Sequence, residues 1–373
     1  MHDNKKRKVI VHLIYDLAQA GAQTVVMNYV RSMSKEDRYD VHIVLLGKEN
    51  NTIYEKECKS KGYPVHYCNY CETSIPILRP IINWYNQQRA IYRTLKNLNV
   101  DVLHTHITTI LPYCIFPAFL LHIKKKVHTL HSDPYAISGR FVLFGKLAFK
   151  YMNFKPICVT EAQADKAKQV YKLKNMDVVH NGIDFESYGV HETAECIRDD
   201  LGIPKDSFVI GCVGRMDKVK NHNFLLDVFA EVLKYQKNAK LLLVGDGSEK
   251  LSIEQYAKNR NIEQEVMFLG TRDDVRRIYS ILDCFVLTSL SESSSIVTVE
   301  AQLFNVRCVV STAVPESVVC RRNVFRLSLE EPVQKWASTV LAKDTNNCEL
   351  NDIDSFSITG SMKKLERIYE EES

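Results

Sequence analysis

The chain has 373 residues, which is more than a single hydrophobic core usually organises, so we expect two domains. Its apolar fraction of 45% and charged fraction of 25% are typical of a globular protein. The 11 cysteines are odd in number and scattered without an overall pattern, which argues against a disulfide framework and predicts a reducing, cytoplasmic setting. We find no apolar stretch near the roughly 20 residues of a membrane span and no signal-peptide core.

Charge is unevenly distributed along the chain. The formal net charge is +4, but residues 1–180 carry 26 Lys and Arg against 14 Asp and Glu, and the remainder carries 23 against 31. This asymmetry favours two units with different partners. The basic half could face an anionic membrane surface or a phosphate-bearing acceptor, and a solvated basic surface explains the charge equally well. A nucleic-acid partner is not expected, because we find no motif for reading bases.

Short apolar runs alternate with amphipathic helical patterns from end to end. The predicted strands are Lys8–Ile14, Val41–Leu46, Val102–His106, Lys126–Leu130, Ile157–Thr160, Val178–His180, Phe208–Val213, Lys240–Val244, Val266–Leu269, Cys284–Thr288 and Cys308–Ser311. The predicted helices include Ala22–Met33, Pro80–Leu98, Asn223–Tyr235, Ser252–Asn259, Thr298–Phe304 and Ser355–Glu371. Apolar strands that alternate with helices indicate parallel, doubly wound sheets. Two such series predict two Rossmann-like α/β domains.

We place the first domain at residues 1–182 plus 355–373 and the second at residues 183–354. The connecting stretch before Phe208 is polar and charged, as expected of a seam between domains. Ligands of open α/β sheets bind beyond the carboxyl ends of the strands. If the two sheets face each other, the expected site is the cleft between them.

Two glutamates flank the start of a predicted helix. Glu292 precedes the helix and Glu300 lies about one turn into it, after a buried strand. The backbone amides from Ser294 to Thr298 would form an anion site at the helix N-terminus. Carboxylates beside that site can accept hydrogen bonds from sugar hydroxyls. A helix with a serine cap and an acidic first turn would account for one of the carboxylates without any ligand.

Two cations follow another predicted strand. Gly214 ends that strand, and Arg215 and Lys220 lie on the next loop. Arg can bind two oxygens at once and Lys supplies a point charge, so the pair suits a diphosphate. Solvated loop cations are the simpler alternative. The next strand is followed by Gly245-Asp246-Gly247, in which Asp246-Gly247 is typical of a tight turn. Gly245 and Gly247 would also let a ligand approach the backbone.

The first half offers a loop and a histidine. The small-residue loop around Gly21 leads into a helix and could cradle a phosphate, but it lacks the three glycines of a dinucleotide fingerprint, so NAD and FAD are disfavoured. His131 follows a predicted strand and could donate a hydrogen bond to a phosphate or a sugar hydroxyl. His104 and His106 share one face of a strand, where a histidine is more often part of the core than a ligand.

Signals for a metal or a membrane are weak. Cys68 and Cys71, with His66 nearby, form only half of a zinc site, and Asp352 and Asp354 have the spacing of a metal-bound carboxylate pair. We interpret both pairs as structural or incidental. The apolar and basic helix predicted over Gly139–Lys155 could rest on a membrane interface, although burial on the first sheet explains it better.

Taken together, these motifs resemble one family. Glu292-x7-Glu300, Gly214-Arg215 with Lys220-Asn221, Val244-Gly245-Asp246-Gly247, Phe268-Leu269-Gly270 and His180-Asn181-Gly182-Ile183-Asp184 are similar to motifs of GT-B glycosyltransferases of family 4, group 1, in the subgroup that builds bacterial surface polysaccharides. The resemblance covers nearly the whole chain, and the second half carries its most specific motifs.

The resemblance implies a role for each matching residue. Arg215 and Lys220 should neutralise the donor diphosphate, and Glu292 should hold the donor sugar together with the amides after Ser293. Glu300 should bind the ribose, and His131 should lie near the reacting centre. The other residues expected around the donor, including those beside the base and beneath the phosphates, are Gly21, Gly214, Gly245, Asp246, Thr271, Arg272, Ser294, Ser295 and Ile296. The last helix should cross back onto the first domain.

The activity implied is transfer of a sugar from a UDP- or GDP-sugar to a glycan or lipid-linked oligosaccharide, with retention of the anomeric configuration. No metal and no cofactor are expected, and the location implied is the cytoplasm or the inner face of the plasma membrane. Two alternatives stay open on the same architecture. One is a nucleotide-sugar 2-epimerase or hydrolase, and the other is a non-catalytic sugar-nucleotide-binding partner of a synthesis complex.

The sequence departs from the family pattern in three places. The loop that usually reads Gly-Gly-x-Glu is Ala20-Gly21-Ala22-Gln23, and Ser293-Ser294-Ser295 stands where Gly and Pro are common. Asn305-Val306-Arg307 replaces a common Gly-x-Pro turn. The carboxylates and cations are retained, so these changes affect the expected donor identity more than the expected activity.

Overall fold

A computed structural model describes residues 7–18, 20–69, 79–342 and 353–371. The chain forms two compact units, one of Met1–Ile183 with Ser357–Ser373 and one of Asp184–Phe356. Each is a parallel α/β sheet covered by helices, so the predicted class of fold is confirmed. The predicted pairs at Cys71 and Asp352 involve residues that lie outside the described ranges.

The first unit contains a seven-stranded parallel sheet in the order β3-β2-β1-β4-β5-β6-β7. Its strands are β1 Lys8–Ile14, β2 Tyr39–Leu45, β3 Val65–Tyr67, β4 Val102–His106, β5 Lys125–Thr129, β6 Phe154–Cys158 and β7 Asp177–Val178. The chain builds outwards from β1 to β3 and then returns to place β4 on the other side of β1. This reversal between β1 and β4 is where ligands of doubly wound sheets bind.

The helices before the seam are α1 Gly21–Met33, α2 Ile53–Lys61, α3 Arg79–Leu98, α4 Leu111–Leu120, α5 Gly139–Tyr151 and α6 Glu161–Tyr171. Every residue of β4 and β5 is buried, as expected for central strands covered on both faces. The predicted helix Gly139–Lys155 is wrong at its end, because Phe154 and Lys155 pair with β5 as part of β6. Phe144 and Leu147 of α5 pack against the core of this unit.

The second unit contains a six-stranded parallel sheet in the order β10-β9-β8-β11-β12-β13. Its strands are β8 Val209–Val213, β9 Lys240–Val244, β10 Val266–Gly270, β11 Cys284–Leu287, β12 Arg307–Ser311 and β13 Val324–Leu327. Its helices are α7 Ala194–Asp200, α8 His222–Tyr235, α9 Lys250–Asn259, α10 Val275–Tyr279, α11 Ile296–Leu303 and α12 Val333–Leu341. The strand order reverses between β8 and β11, so the loops after these two strands border the expected ligand site.

The last helix, α13 (Ile358–Glu370), returns to the first unit as predicted. The Ser361 hydroxyl donates to the backbone oxygen of His180 at 2.8 Å. The Tyr369 hydroxyl lies 2.6 Å from Nδ1 of His104. Arg38 pairs with Glu366 at 2.5 Å. These contacts fix the helix across strands that are distant in sequence.

Two observed strands have no counterpart among the predicted ones. Both β3 and β13 are outermost in their sheets, and every residue of each is only partly buried. Such short edge strands carry little of the apolar pattern that identifies a central strand. Among the described helices, none combines the length and the hydropathy needed to cross a bilayer.

Candidate active site

An ion pair lies at the reversal point of the second sheet. Lys220 is on the loop after β8, and Glu292 is on the loop after β11. The Lys220 ammonium donates to Oε1 of Glu292 at 2.6 Å, and the two side chains are 18% and 10% exposed. The structure therefore joins directly the predicted phosphate ligand and the predicted sugar ligand. Water screens this pair less than it would screen a surface pair.

Backbone contacts hold the two loops together. Asp217 accepts hydrogen bonds from the amides of Val219 and Lys220 at 3.1 and 3.2 Å, which fixes the short turn that carries the lysine. The Leu290 amide donates to the Val219 carbonyl at 2.7 Å. The position of the lysine is therefore set by residues on both sides of the reversal point.

Glu292 has a second partner that the sequence did not single out. The Ser289 hydroxyl donates to the same Oε1 atom at 2.7 Å. This serine lies three residues before the glutamate and immediately after Thr288, whose hydroxyl donates to the Asn221 carbonyl at 3.0 Å. A hydroxyl and an ammonium together orient the carboxylate, and both contacts fall on one of its oxygens.

Arg215 differs from Lys220 in its exposure. Its side chain is 65% exposed, and its guanidinium lies 3.0 Å from the carboxylate of Asp217. Exposed ion pairs contribute little to stability, so this arginine can exchange its partner for a ligand phosphate at small cost. Asp217 thus serves twice, as a cap for the turn and as a counter-ion for Arg215, and sequence reasoning missed both roles.

The loops after β8 and β9 are pressed together. The Gly214 amide donates to the Val244 carbonyl and the Met216 amide to the Asp246 carbonyl, both at 2.9 Å. Gly245 has a φ of +133°, and a Cβ there would lie 2.0 Å from the Gly214 carbonyl oxygen. A side chain is therefore excluded at Gly245, and the predicted donor-binding residues Gly214, Gly245 and Asp246 form one continuous edge.

Glu300 is held from within the second unit. It is 8% exposed on α11, and the Tyr279 hydroxyl donates to its Oε2 at 2.8 Å. Tyr279 ends α10, 21 positions before the glutamate, so no local sequence pattern connects them. The tyrosine therefore orients a carboxylate that the sequence predicts as a ribose ligand.

The residues between the glutamates form the N-terminus of α11, which begins at Ile296. Ser295 precedes it with φ +46° and ψ +62°, in the left-handed region, and its hydroxyl lies 2.8 Å from that of Thr298. The serine cap expected as the simpler alternative is absent here, since Ser295 makes no capping hydrogen bond and no acidic residue lies in the first turn. The hydroxyl of Ser294 is buried without a partner among the described residues.

The predicted base-binding residues follow β10. Thr271 is exposed, whereas Arg272 forms a two-pronged pair with Asp274, with N–O distances of 2.7 and 2.6 Å. Hydrogen bonds from this guanidinium hold the pKa of Asp274 below its ordinary value. Asp274, which the sequence did not single out, fixes the direction of the arginine.

In the first unit, Gly21 opens α1 after β1. A Cβ added to Gly21 would meet no atom of the described residues within 4 Å, so its backbone is accessible. Gln23, which replaces the usual glutamate, donates to Asp16 at 2.9 Å. The same Asp16 oxygen accepts from the Ala18 amide at 3.0 Å. Asp16 thus connects Ala18 and Gln23 without the missing carboxylate.

His131 lies on the loop after β5, at the carboxyl edge of the first sheet. Its Nε2 lies 3.0 Å from Nδ1 of His106. Burial lowers the pKa of His131 to about 4, so its imidazole is neutral at physiological pH. It can donate or accept a hydrogen bond but carries no charge.

Ligating nitrogens of His12, His104 and His106 lie within 4.8 Å of one another, a spacing that a metal could use. The rings of His104 and His106 are stacked at 4.2 Å with an angle of 29°, so their nitrogen lone pairs do not converge. Both nitrogens of His104 are already bonded, to Tyr369 at 2.6 Å and Thr129 at 2.7 Å. We interpret this cluster as a hydrogen-bonded core.

Two family models match the chain. One, described as Glycosyl transferases group 1, matches residues 194–340, and the other, Glycosyltransferase Family 4, matches residues 20–187. Each match lies mainly within one of the two units. The chain belongs to the family 4, group 1 glycosyltransferases. The predicted family and enzyme class are confirmed.

This glycosyltransferase has relatives along most of its length. It is 28% identical to the putative glycosyltransferase EpsF of Bacillus subtilis, over 90% of this chain and 88% of that protein. It is 25% identical to the UDP-Gal:alpha-D-GlcNAc-diphosphoundecaprenol alpha-1,3-galactosyltransferase of Escherichia coli, over 75% and 78%. The structure of Anabaena Alr3699/HepE with UDP-glucose matches with a TM-score of 0.76 at 19% identity, over 97% of this chain and 98% of that one. At that identity the structural likeness supports the GT-B fold.

Proposed function

We propose that this glycosyltransferase moves a sugar, with retention of configuration, from a UDP- or GDP-sugar to a glycan or lipid-linked acceptor in the synthesis of a surface polysaccharide. The observation that carries the proposal is the Lys220–Glu292 pair at the reversal point of the second sheet. Lys220 provides a cation for a diphosphate, and Glu292, in contact with it, provides an acceptor for sugar hydroxyls. The E. coli relative's name includes a UDP-sugar donor and a diphosphoundecaprenol acceptor.

The chemistry that we propose is front-face displacement. The bond from the sugar C1 to the diphosphate breaks, the acceptor oxygen bonds to C1 on the same face, and the departing phosphate takes the acceptor's proton. Lys220 and the exposed Arg215 stabilise the charge that develops on the diphosphate. Glu292 and Glu300 hold the sugar and the ribose. Catalysis is then mainly electrostatic preorganisation and positioning.

In this proposal the two cations supply the charge that a divalent metal supplies in other transferases. Transfer should therefore continue at full rate in the presence of a chelator. An activity that falls with chelator and returns with added Mg²⁺ or Mn²⁺ would show that this part of the proposal is wrong.

A panel of nucleoside diphosphates and their sugars tests the proposal. A ligand that binds the folded chain adds about 3 kcal/mol to its free energy of unfolding when its concentration is 100 times its Kd. Its binding therefore raises the Tm. Mass spectrometry should then detect transfer to a lipid-linked acceptor, and the anomeric coupling in the product should show retention. If no diphosphate raises the Tm, the proposal fails. Conversion of the donor without any acceptor would instead identify an epimerase or a hydrolase.

Glu292→Ala tests whether the pair matters for transfer. We expect the rate to fall by about 10² to 10³, as when a preorganised hydrogen-bonding group is lost from an active site. Glu263→Ala, an exposed carboxylate on the same unit, is the matched control and should retain the wild-type rate. Equal activity of both variants would favour a non-catalytic binding partner.

We further propose that α5 meets an anionic membrane surface. Leu143, Lys146 and Lys150 recur at helical spacing and share one face, and Leu143 is 68% exposed. Reversing both charges with Lys146→Glu and Lys150→Glu should reduce flotation with anionic vesicles. The matched control reverses Lys172 and Lys174, which are exposed elsewhere on the first unit. If the two double variants bind vesicles equally, this proposal is lost.

A further inference from the structure

Three histidines form a hydrogen-bonded line that ends at the carboxyl edge of the first sheet. His12 lies within β1, His106 ends β4 and His131 follows β5. Nδ1 of His12 is 3.1 Å from Nε2 of His106, and Nδ1 of His106 is 3.0 Å from Nε2 of His131. His12 and His106 are fully buried, whereas His131 is partly exposed. The line therefore connects the interior of the sheet with its ligand-facing edge.

The number of protons on this line is fixed. Burial keeps all three imidazoles neutral by lowering their pKa, so each carries one N–H. Three protons must serve two hydrogen bonds, and each bond needs one. Two arrangements satisfy this condition. In one, the third proton is on Nε2 of His12, and in the other it is on Nδ1 of His131.

The surroundings of His12 distinguish these arrangements. Its Nε2 is buried and has no hydrogen-bond partner among the described residues. A proton there would be a buried donor with no acceptor, which folded proteins avoid more strictly than an unused acceptor. With the proton on Nδ1, His12 donates to His106, and His106 donates in turn to Nε2 of His131. The remaining proton then lies on Nδ1 of His131, at the partly exposed end of the line.

We propose that His12 and His106 are positioning residues that fix His131 as the Nδ1–H tautomer, so that it presents a neutral N–H donor to a ligand oxygen. Its other nitrogen is occupied by His106 and is not available as a base. The identity of the ligand as a nucleotide sugar rests on the proposed function. The tautomer itself depends on the first unit alone.

Nitrogen-15 NMR of the imidazoles tests the tautomer directly, with the His131 signals assigned by their loss in His131→Asn. We expect Nδ1 of His131 to have the shift of a protonated nitrogen and Nε2 that of a bare one. A free imidazole in water favours the opposite arrangement. A wild-type spectrum with the proton on Nε2 of His131 would overturn the proposal, whether or not the enzyme is active.

A substitution at His12, the buried end of the line, tests whether the tautomer of His131 depends on His12. His12→Asp replaces a donor with a carboxylate that only accepts, so His106 should donate to it from Nε2. His131 should then move its proton to Nε2, although it does not contact residue 12. His104→Asp is the matched control, because His104 shares the buried face but bonds to Thr129 and Tyr369, outside the line. An unchanged His131 in folded His12→Asp would overturn the proposal. If that variant does not fold, the wild-type spectrum decides.

Two amide substitutions show which nitrogen the ligand uses. Asn places its amide nitrogen close to the position of Nδ1, whereas Gln reaches the position of Nε2. We expect His131→Asn to bind the nucleotide sugar within about threefold of wild type and His131→Gln to lose about tenfold, the loss of one neutral hydrogen bond. The reverse order would overturn the donor assignment. If the wild type binds no nucleotide sugar, the proposed function fails while the NMR result still stands.

Discussion

The two sheets present different chemistry at their carboxyl edges. The first sheet carries neutral imidazoles, and burial lowers the pKa of His12 to about 3 and that of His131 to about 4. The second carries opposite charges in contact, with Lys220 at 2.6 Å from Glu292. A neutral edge can orient a sugar or acceptor through the direction of its hydrogen bonds. A charged edge can stabilise a leaving diphosphate, so the comparison suggests a division of labour between binding geometry and electrostatics.

The largest expected effect is that acid lowers the stability of the first unit more than that of the second. The first unit holds six imidazoles whose pKa lies below the ordinary value of 6.5, and burial is the main cause for each: His12, His66, His104, His106, His128 and His131. Below pH 6.5 the unfolded chain takes up these protons and the folded chain does not. The stability that depends on them is therefore complete above pH 6.5 and is lost as the pH falls towards 4. Near pH 5 we expect a loss on the order of 5 kcal/mol or more.

Hydrogen exchange measured by mass spectrometry on the intact chain checks this prediction region by region. Peptides from β1, β4 and β5 should lose protection between about pH 7 and pH 5 once intrinsic exchange rates are corrected. Peptides from β8 and β11 are the internal control. In the second unit, His222 has a pKa lowered by burial, to about 4, so a smaller change is expected there. Equal losses of protection in both units would contradict the expectation that acid destabilises mainly the first unit.

Lys220→Ala should have the next largest effect. It removes the cation from the leaving group and leaves Glu292 with Ser289 as its recorded partner. We expect kcat to fall by about 10² to 10³. Lys218→Ala, an exposed lysine of the same turn, is the matched control and should retain the wild-type kcat. Similar kcat values for the two variants would show that the charge at this edge does not act on the reaction.

The predicted elements were most accurate where the apolar pattern was continuous. Lys8–Ile14, Val102–His106 and Lys240–Val244 agree with the observed strands at both ends. These strands are covered on both faces, so nearly every residue is buried and the run of apolar residues marks the whole strand. The edge strands β3 and β13 were missed because partial exposure weakens that pattern.

The family motifs predict residues that are expected to contact a ligand. Sequence motifs identified Lys220, Glu292 and Glu300 but not the residues that orient them. Tyr279 and Ser289 act through tertiary contacts, and a tyrosine 21 positions from its partner leaves no periodic signal. The histidine line was also missed, since a histidine inside a strand is usually part of the core and its partners depend on strand order.

Tyr279→Phe tests one of these orienting contacts. The change removes the hydroxyl that donates to Glu300 and leaves that buried oxygen one donor short, which costs about 1–3 kcal/mol of stability. We expect the KM for the nucleotide sugar to rise about tenfold while kcat changes little, since the ribose is remote from the breaking bond. Tyr256→Phe, whose hydroxyl contacts Asp227 on α8, is the control. A larger effect on kcat than on KM would place Glu300 nearer the chemistry than we propose.

The smallest expected effect concerns the backbone of the charged edge. Ser295 adopts a left-handed conformation that costs an L-residue roughly 1–2 kcal/mol relative to glycine. Ser295→Ala and Ser295→Gly both lose the hydrogen bond to Thr298, but glycine alone releases this strain. Ser295→Gly should therefore be more stable than Ser295→Ala by about 0.5–1 kcal/mol in urea unfolding, after glycine's entropic cost.

The order should invert at Ser338, an exposed position within α12 where the backbone is helical. There glycine should be less stable than alanine by about 1 kcal/mol. If the stability difference between the Gly and Ala variants has opposite signs at Ser295 and Ser338, the effect at Ser295 comes from backbone strain and not from loss of the side chain. The same sign at both would mean that Ser295 is not strained, and the serine run after Glu292 would then be an ordinary helix start. This strain lies where the donor is expected to bind, whereas His12, His106 and His131, at the neutral edge of the first sheet, have no positive φ.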